Sequence, residues 1–153
     1  MLIRLATYDD IPELNVLFTD FFEYNAAQQP KNCIASKEDG QYPNIVINSA
    51  DGDIFVAEAE GRIIGFIHVE MDKTPPYPSV TPHKYARIVD FFVGVKYRKK
   101  GIGSSLLDDV KQWARARNLE YIELMVLENN AVGKSFYKRE YFTTVSHTMR
   151  LDI

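Results

Sequence analysis

Apolar residues change their spacing several times along these 153 residues, and each change marks an element. Leu2 to Ala6 reads as a short strand. Behind it, Asp9 or Asp10 caps a helix in which Pro12 sits early and Leu14, Leu17, Phe18, Phe21 and Phe22 form an apolar stripe. The periodicity weakens from Asn25 to Ser36, around Pro30, and Gly40 to Asn48 reads as a second short helix. Ile54 to Glu58 and Arg62 to Met71 flank the turn residues Glu60 and Gly61. Their period of two predicts a hairpin with Phe55, Ala57, Ile64, Phe66 and His68 on shared faces. Lys73 to Tyr85 carries four prolines, at 75, 76, 78 and 82, and so reads as an irregular surface loop able to wall a pocket.

The second half is more sharply patterned. Arg87 to Val95 reads as a strand, and Gly103 to Arg117 as a helix with Leu106, Leu107, Val110, Trp113 and Ala114 at helical spacing. Glu120 to Leu127 reads as another strand. A strand, helix, strand crossover implies parallel strands and a right-handed connection, with the loop after the first strand at the end where such folds bind ligands. Ala131 to Lys138 reads as a short helix and Phe142 to Leu151 as a closing strand. The length fits one domain spanning 1–153.

Charge and cysteine content narrow the chemistry. A net charge of −3 and a pI near 5.6 provide no overall basic field, so a nucleic-acid partner is not expected and any anion site must be local. One cysteine, Cys33, cannot form an internal disulfide, and it cannot build a zinc site with the scattered His68, His83 and His147. That suits a reducing cytoplasm. The N-terminal residues lack a basic start followed by an apolar run, and no stretch reaches the length of a membrane span, so the expectation is a soluble, unsecreted protein.

The local anion site is at Arg98 to Ser104, where Arg98, Lys99 and Lys100 precede Gly101 and Gly103 between a strand and a helix. Glycines let backbone N–H groups turn inward, a helix start adds unpaired donors and positive dipole, and basic side chains screen phosphate charge. The plainer reading is a solvated basic turn. Two nucleotide motifs fail: the third glycine of G-x-G-x-x-G would fall at Leu106, and no G-x-x-x-x-G-K-[ST] is present.

Arg98-Lys99-Lys100-Gly101-Ile102-Gly103 resembles the R-x-x-G-x-G signature of the GNAT acetyltransferase superfamily. The resemblance extends to Asp90-Phe91-Phe92-Val93, similar to that family's fourth strand, to the Asn130 to Phe142 asparagine, helix and tyrosine element, and to the opening Ile3 to Thr7 with Asp10. Gly133 stands where alanine is usual, and Tyr141 where glycine is usual. The resemblance implies an α/β (α+β) fold: a central mixed, mostly antiparallel sheet of six to seven strands, flanked by about four helices and splayed between strands four and five. It implies an acetyl-coenzyme A-dependent N-acetyltransferase acting on a primary amine of a small molecule or peptide, without metal. A non-catalytic acyl-CoA sensor of the same fold is the alternative. Family members act on aminoglycosides, polyamines, amino acids and protein N-termini, and dimerisation is common, so a homodimer stays open.

For the site, the resemblance implies that N–H groups of Lys99, Lys100, Gly101, Ile102, Gly103 and Ser104, beside Arg98, hold the pyrophosphate. Main-chain groups of Val93 and Val95 would pair with the pantetheine arm. The Val93 N–H would face the thioester oxygen. A Cβ at Gly101 or Gly103 would obstruct phosphate or strain the turn. Gly94 marks either a bulge that opens the cleft or a strand end. Asn130 contacts the cofactor arm or caps a helix. Tyr137 is the acid candidate for the departing thiolate, or else a packing residue. Asp90 is the base candidate, or else binds substrate or pairs with a cation. His68 and His83 are set aside, because a lone histidine is more often structural. The acceptor is expected between Phe18 to Asn48 and Thr74 to Tyr85, where Phe22, Tyr24, Tyr77 and Tyr85 line a pocket or fill the core, and Asp20 and Glu23 attract a cationic amine or face solvent.

Overall fold

The alternating segments of the first half become neighbouring strands. In the computed structural model, β1 (Leu2–Leu5) pairs antiparallel with β2 (Gly52–Ala59), β2 with β3 (Arg62–Lys73), and β3 with β4 (Lys84–Val93). Strand β5 (Ile122–Leu124) lies parallel to β4, giving one five-stranded sheet in the order β1-β2-β3-β4-β5. The structure describes residues 1–37 and 39–153. Glu38, inside the segment expected to grip an acceptor, lies outside them.

Two helices cover each face. Leu14, Leu17 and Phe18 of α1 (Ile11–Gln28) and Val46 of α2 (Gln41–Ile47) pack on Ile54, Val56, Phe66 and Phe92. On the other face Leu106, Leu107, Val110 and Trp113 of α3 (Ile102–Ala116) pack on Ile67, Val69, Ala86 and Ile88, with Phe136 of α4 (Ala131–Arg139) at the margin. The stripes read from the sequence are therefore the packing surfaces, as 3.6-residue spacing requires. Among the described residues no helix is long and apolar enough to cross a membrane.

The strand count corrects the expected six to seven. Phe142 to Leu151 forms no strand, and Glu120 to Leu127 contracts to Ile122–Leu124. Register explains the contraction. β5 faces β4 only at Ala86–Ile122, Arg87–Glu123 and Ile88–Leu124, and among the described residues no strand lies on that side of β4 beyond Ile88.

A β-bulge sits at Val89, where His68 pairs with Asp90 but Val69 pairs with Ile88. An extra residue reverses the alternation, because side chains point to opposite faces with a period of two. Ala86 and Ile88 face α3, whereas Phe92 joins the α1/α2 core and Phe91 and Val93 turn to the α3/α4 side. Asp90 is thereby carried to the α1/α2 face. Of the two readings of Gly94, the strand end holds: Gly94 follows the end of β4, its N–H bonded to Ile64 O at 3.0 Å, and the bulge lies five residues earlier.

Candidate active site

Asp90 accepts a 2.7 Å hydrogen bond on Oδ2 from the Tyr42 hydroxyl. The same hydroxyl lies 2.6 Å from Nδ1 of His68, a fully buried residue. A phenol has one proton, so with Tyr42 donating to Asp90 the imidazole Nδ1–H donates to the phenol oxygen. On its far side His68 Nε2 is 3.1 Å from Glu70 Oε1, outside hydrogen-bond geometry, and Glu70 Oε2 accepts from Arg87 at 2.9 Å. Burial, then the negative charge of Asp90, raise the Tyr42 phenol above its ordinary range and keep it protonated. The result is a chain of polar groups from β3 through α2 to β4, ending at a carboxylate that is itself only partly covered.

The site thus includes His68, which sequence reasoning sets aside, and Tyr42, which it does not single out. A polar residue inside the buried run Ile63 to Val69 is the available signal for His68. Tyr42 gives none, because its helix follows the least periodic part of the chain. His83, also set aside, contacts Glu120 instead, and Tyr85 stacks on Tyr121 with ring centroids 4.9 Å apart. Phe22 packs against Phe18 in the core, Tyr24 lies against Phe92, and Tyr77 is exposed. No pocket-lining aromatic cluster forms from these four.

The basic loop is built as an N-terminal cradle. Lys99 and Gly101 adopt left-handed φ values of 62° and 80°, turning the chain sharply into α3. Intrahelical bonding of α3 begins with Ser105 N–H to Gly101 O at 3.0 Å, and no side chain caps the helix. The N–H groups of Ile102, Gly103 and Ser104 thus have no intrahelical acceptor, the state that favours an anion. Nothing lies within 4 Å of the position a Cβ would take on Gly101. Lys99 and Lys100 are exposed beside this opening. Open space, unpaired donors and local positive charge fit a pyrophosphate.

Several side chains of the motif have other duties. Arg98 turns back, donating from Nε to Val93 O at 2.9 Å with its guanidinium over the Tyr24 and Phe92 rings at 4.7 and 5.2 Å. It braces the loop against β4 and α1. Ser104 donates its hydroxyl to Glu140 at 2.5 Å, which leaves its N–H for an anion. A Cβ on Gly103 would stand 3.2 Å from the Phe136 ring and 3.6 Å from Phe91. Gly103 thus permits α3 to approach α4. Val95 is exposed just past β4, and Val93 ends the stretch that no β5 residue accompanies.

The α4 residues follow the same logic. Asn130 Oδ1 accepts from Gly133 N–H at 2.8 Å, so the amide caps α4. The Gly133 departure is coupled to that cap, since an alanine Cβ there would fall 2.5 Å from Asn130 Nδ2. Tyr141 holds a left-handed φ of 67° in a Schellman ending, with Tyr141 N–H on Lys138 O at 3.1 Å and Phe142 N–H on Tyr137 O at 2.9 Å. Tyr137 is held among Phe91, Phe136 and Phe142, with ring centroids 6.3, 5.3 and 5.6 Å away. Burial raises its phenol above the ordinary value. Asp90 and Tyr137 therefore approach the open end of β4 from opposite faces of the sheet. Among the described residues no group of three His, Cys, Asp or Glu gathers that could hold a metal ion.

Residues 12–141 match the model of the acetyltransferase (GNAT) family. The chain belongs to that family. An uncharacterised N-acetyltransferase of Methanocaldococcus jannaschii is 29% identical over 138 residues, 90% of this chain but 58% of its own length. The chain thus spans little more than half of that relative. A second uncharacterised N-acetyltransferase, of Archaeoglobus fulgidus, is 25% identical over 90% of this chain and 89% of its own. A mutant BH1408 protein of Bacillus halodurans superimposes on this GNAT domain with a TM-score of 0.95 at 23% identity, covering 100% of this chain and 99% of that one, a likeness of fold.

Proposed function

We propose that this GNAT domain transfers the acetyl group of acetyl-coenzyme A directly to a primary amine of a small molecule or peptide in a reducing cytoplasm. The observation that carries the reading is the start of α3, where uncapped N–H groups of Ile102, Gly103 and Ser104 follow Lys99, Lys100 and the left-handed Gly101 beside the open end of β4. Those donors with the backbone of Lys99 to Gly101 hold the pyrophosphate, and Val93 and Val95 present main-chain groups to the pantetheine arm. Arg98 acts on the cofactor through Val93, whose carbonyl it fixes. Bound coenzyme supplies an activated acetyl thioester.

The chain's own residues supply the proton transfers. A primary ammonium must lose a proton before it can attack, and Asp90 is the carboxylate at hand on the α1/α2 face, oriented by Tyr42. On the other face the Tyr137 phenol, kept neutral by burial, stands ready to hydrogen-bond a developing thiolate. A thiol titrates near about 8.5, below a phenol, so full transfer from Tyr137 runs uphill. Its contribution is stabilisation of negative charge as the C–S bond breaks, with the final proton drawn from solvent. Main-chain donors serve the cofactor phosphates, so no metal is required.

A thiol-release assay over a panel of amines tests the reading, with acetyl-CoA binding followed by calorimetry in EDTA. The expected result is binding unchanged by chelator and release that depends on at least one amine. Binding with no amine-dependent release across the panel favours the acyl-CoA sensor, and absence of binding refutes both.

A further inference from the structure

Tyr42 stands between two acceptors with one phenolic proton to give. Its oxygen is 2.7 Å from Asp90 Oδ2 and 2.6 Å from His68 Nδ1, while Nδ1 and Asp90 Oδ2 are 3.6 Å apart, beyond hydrogen-bond reach of each other. Which acceptor receives the proton depends on where the imidazole keeps its own. A neutral imidazole carries one proton, on one nitrogen or the other. With that proton on Nδ1, His68 donates to the phenol oxygen and Tyr42 donates to Asp90. With it on Nε2, Nδ1 becomes an acceptor, Tyr42 turns to it, and Asp90 loses its hydrogen bond.

The far end of the ring selects between these states. Nε2 is buried, and among the described residues no group meets it in hydrogen-bond geometry. A proton there would be a buried donor without an acceptor, whereas a proton on Nδ1 is bonded at 2.6 Å. The group placed to draw the proton to Nε2 is Glu70, whose Oε1 is 3.1 Å away but out of line. Arg87 keeps it there. The two residues are directly opposed in the β3/β4 register, Arg87 donates to Glu70 Oε2 at 2.9 Å, and its Nε is anchored 3.2 Å from Asp72.

We propose that His68 and Arg87 are positioning residues for Asp90. Arg87 restrains Glu70, the restrained Glu70 leaves the His68 proton on Nδ1, and that proton directs the Tyr42 hydroxyl to the carboxylate. Arg87, with 48% of its side chain exposed, thereby acts on the base through three intervening side chains. The catalytic consequence rests on the acetyl-transfer reading, whereas the location of the proton does not.

Nitrogen-15 NMR of the full chain labelled at histidine reads that location, at about pH 8 where an imidazole is ordinarily neutral. His68 should carry its proton on Nδ1. In Arg87→Met, where Glu70 is free to accept, the proton should move to Nε2, and adding Glu70→Gln to that variant should return it to Nδ1. Turnover should follow the proton. Arg87→Met should lower kcat about tenfold at unchanged acetyl-CoA affinity, the double variant should recover most of the loss, and in the Tyr42→Phe background Arg87→Met should cost less than about twofold. A proton on Nε2 or on both nitrogens of the unmodified chain overturns the proposal, as does an Nδ1 proton that stays in place in Arg87→Met. An equal kcat loss with and without the Tyr42 hydroxyl overturns it too, because the Arg87 charge would then act on Asp90 or the amine directly. If no amine is acetylated, the acetyl-transfer reading fails, and the NMR result by itself decides whether Arg87 controls the bond between Tyr42 and Asp90.

Discussion

Tyr42 on α2 donates its hydroxyl to Asp90 on β4 at 2.7 Å, across 48 positions of sequence. The bond occupies Oδ2, and among the described residues none engages Oδ1. In the proposed mechanism the remaining oxygen is the one that takes the proton of the amine. Asp90→Asn should therefore lower kcat by about 100- to 10,000-fold with acetyl-CoA affinity unchanged. Tyr42→Phe keeps the carboxylate and loses one orienting hydrogen bond, so its cost should be about tenfold. Steady-state kinetics beside calorimetric Kd values make the comparison. An Asp90→Asn enzyme with normal kcat removes Asp90 from the mechanism.

Tyr137→Phe retains the ring that Phe91, Phe136 and Phe142 surround and removes only the hydroxyl. Fold and acetyl-CoA affinity should persist while the chemical step slows, by roughly 100-fold or more if the phenol stabilises the leaving thiolate. Single-turnover rates are the right measure, because slow product release would mask part of the loss. Equal single-turnover rates would leave Tyr137 a packing residue.

Alkaline stability follows from the same two phenols, both raised by burial. Below pH about 10 each is protonated in folded and unfolded chains alike, and neither contributes a pH dependence. Above that, the unfolded phenols ionise while the folded ones keep their protons, so the unfolded state binds fewer protons and stability falls as pH rises. Urea unfolding between about pH 9 and 11 should show this slope. Tyr42→Phe and Tyr137→Phe should each reduce it, and a slope untouched in both variants would mean that other groups govern the alkaline limb.

Gly103→Val should act through Phe136, whose ring lies 3.2 Å from where the new Cβ would stand. The expected loss is about 1–3 kcal/mol of stability, with weaker coenzyme binding as α4 is pushed from α3. In a double-mutant cycle, Phe136→Ala should cost less in the Gly103→Val background than in the unmodified chain. Strict additivity would show that the contact is not the cause.

Tyr141→Gly should stabilise the protein. Tyr141 is 93% exposed and holds a left-handed φ of 67°, so glycine relieves backbone strain and forfeits little packing. A gain of about 1 kcal/mol corresponds to a Tm increase of roughly 2–4 °C for a chain of this size. A lower Tm would show that the tyrosine ring makes contacts that matter more than the strain.

Much of the architecture was legible in local patterns. The α3 stripe of Leu106, Leu107, Val110, Trp113 and Ala114 is buried as its spacing requires, and the basic, glycine-containing turn before it marks the helix start. Glycine at 101 anticipated a left-handed turn, because few other residues adopt it cheaply. What spacing cannot report is how distant segments register. The bulge at Val89 reverses the alternation of β4, so parity along the strand would place Asp90 with Ile88, while pairing with β3 places it beside Tyr42 and His68. The direction of the missing Cβ at Gly103 depends on where α4 docks, and the strand pattern of Phe142 to Leu151 names no partner. Periodicity fixes which residues of one element share a face, whereas their neighbours are set by hydrogen bonding and packing between elements far apart in the chain, and only the tertiary structure decides those.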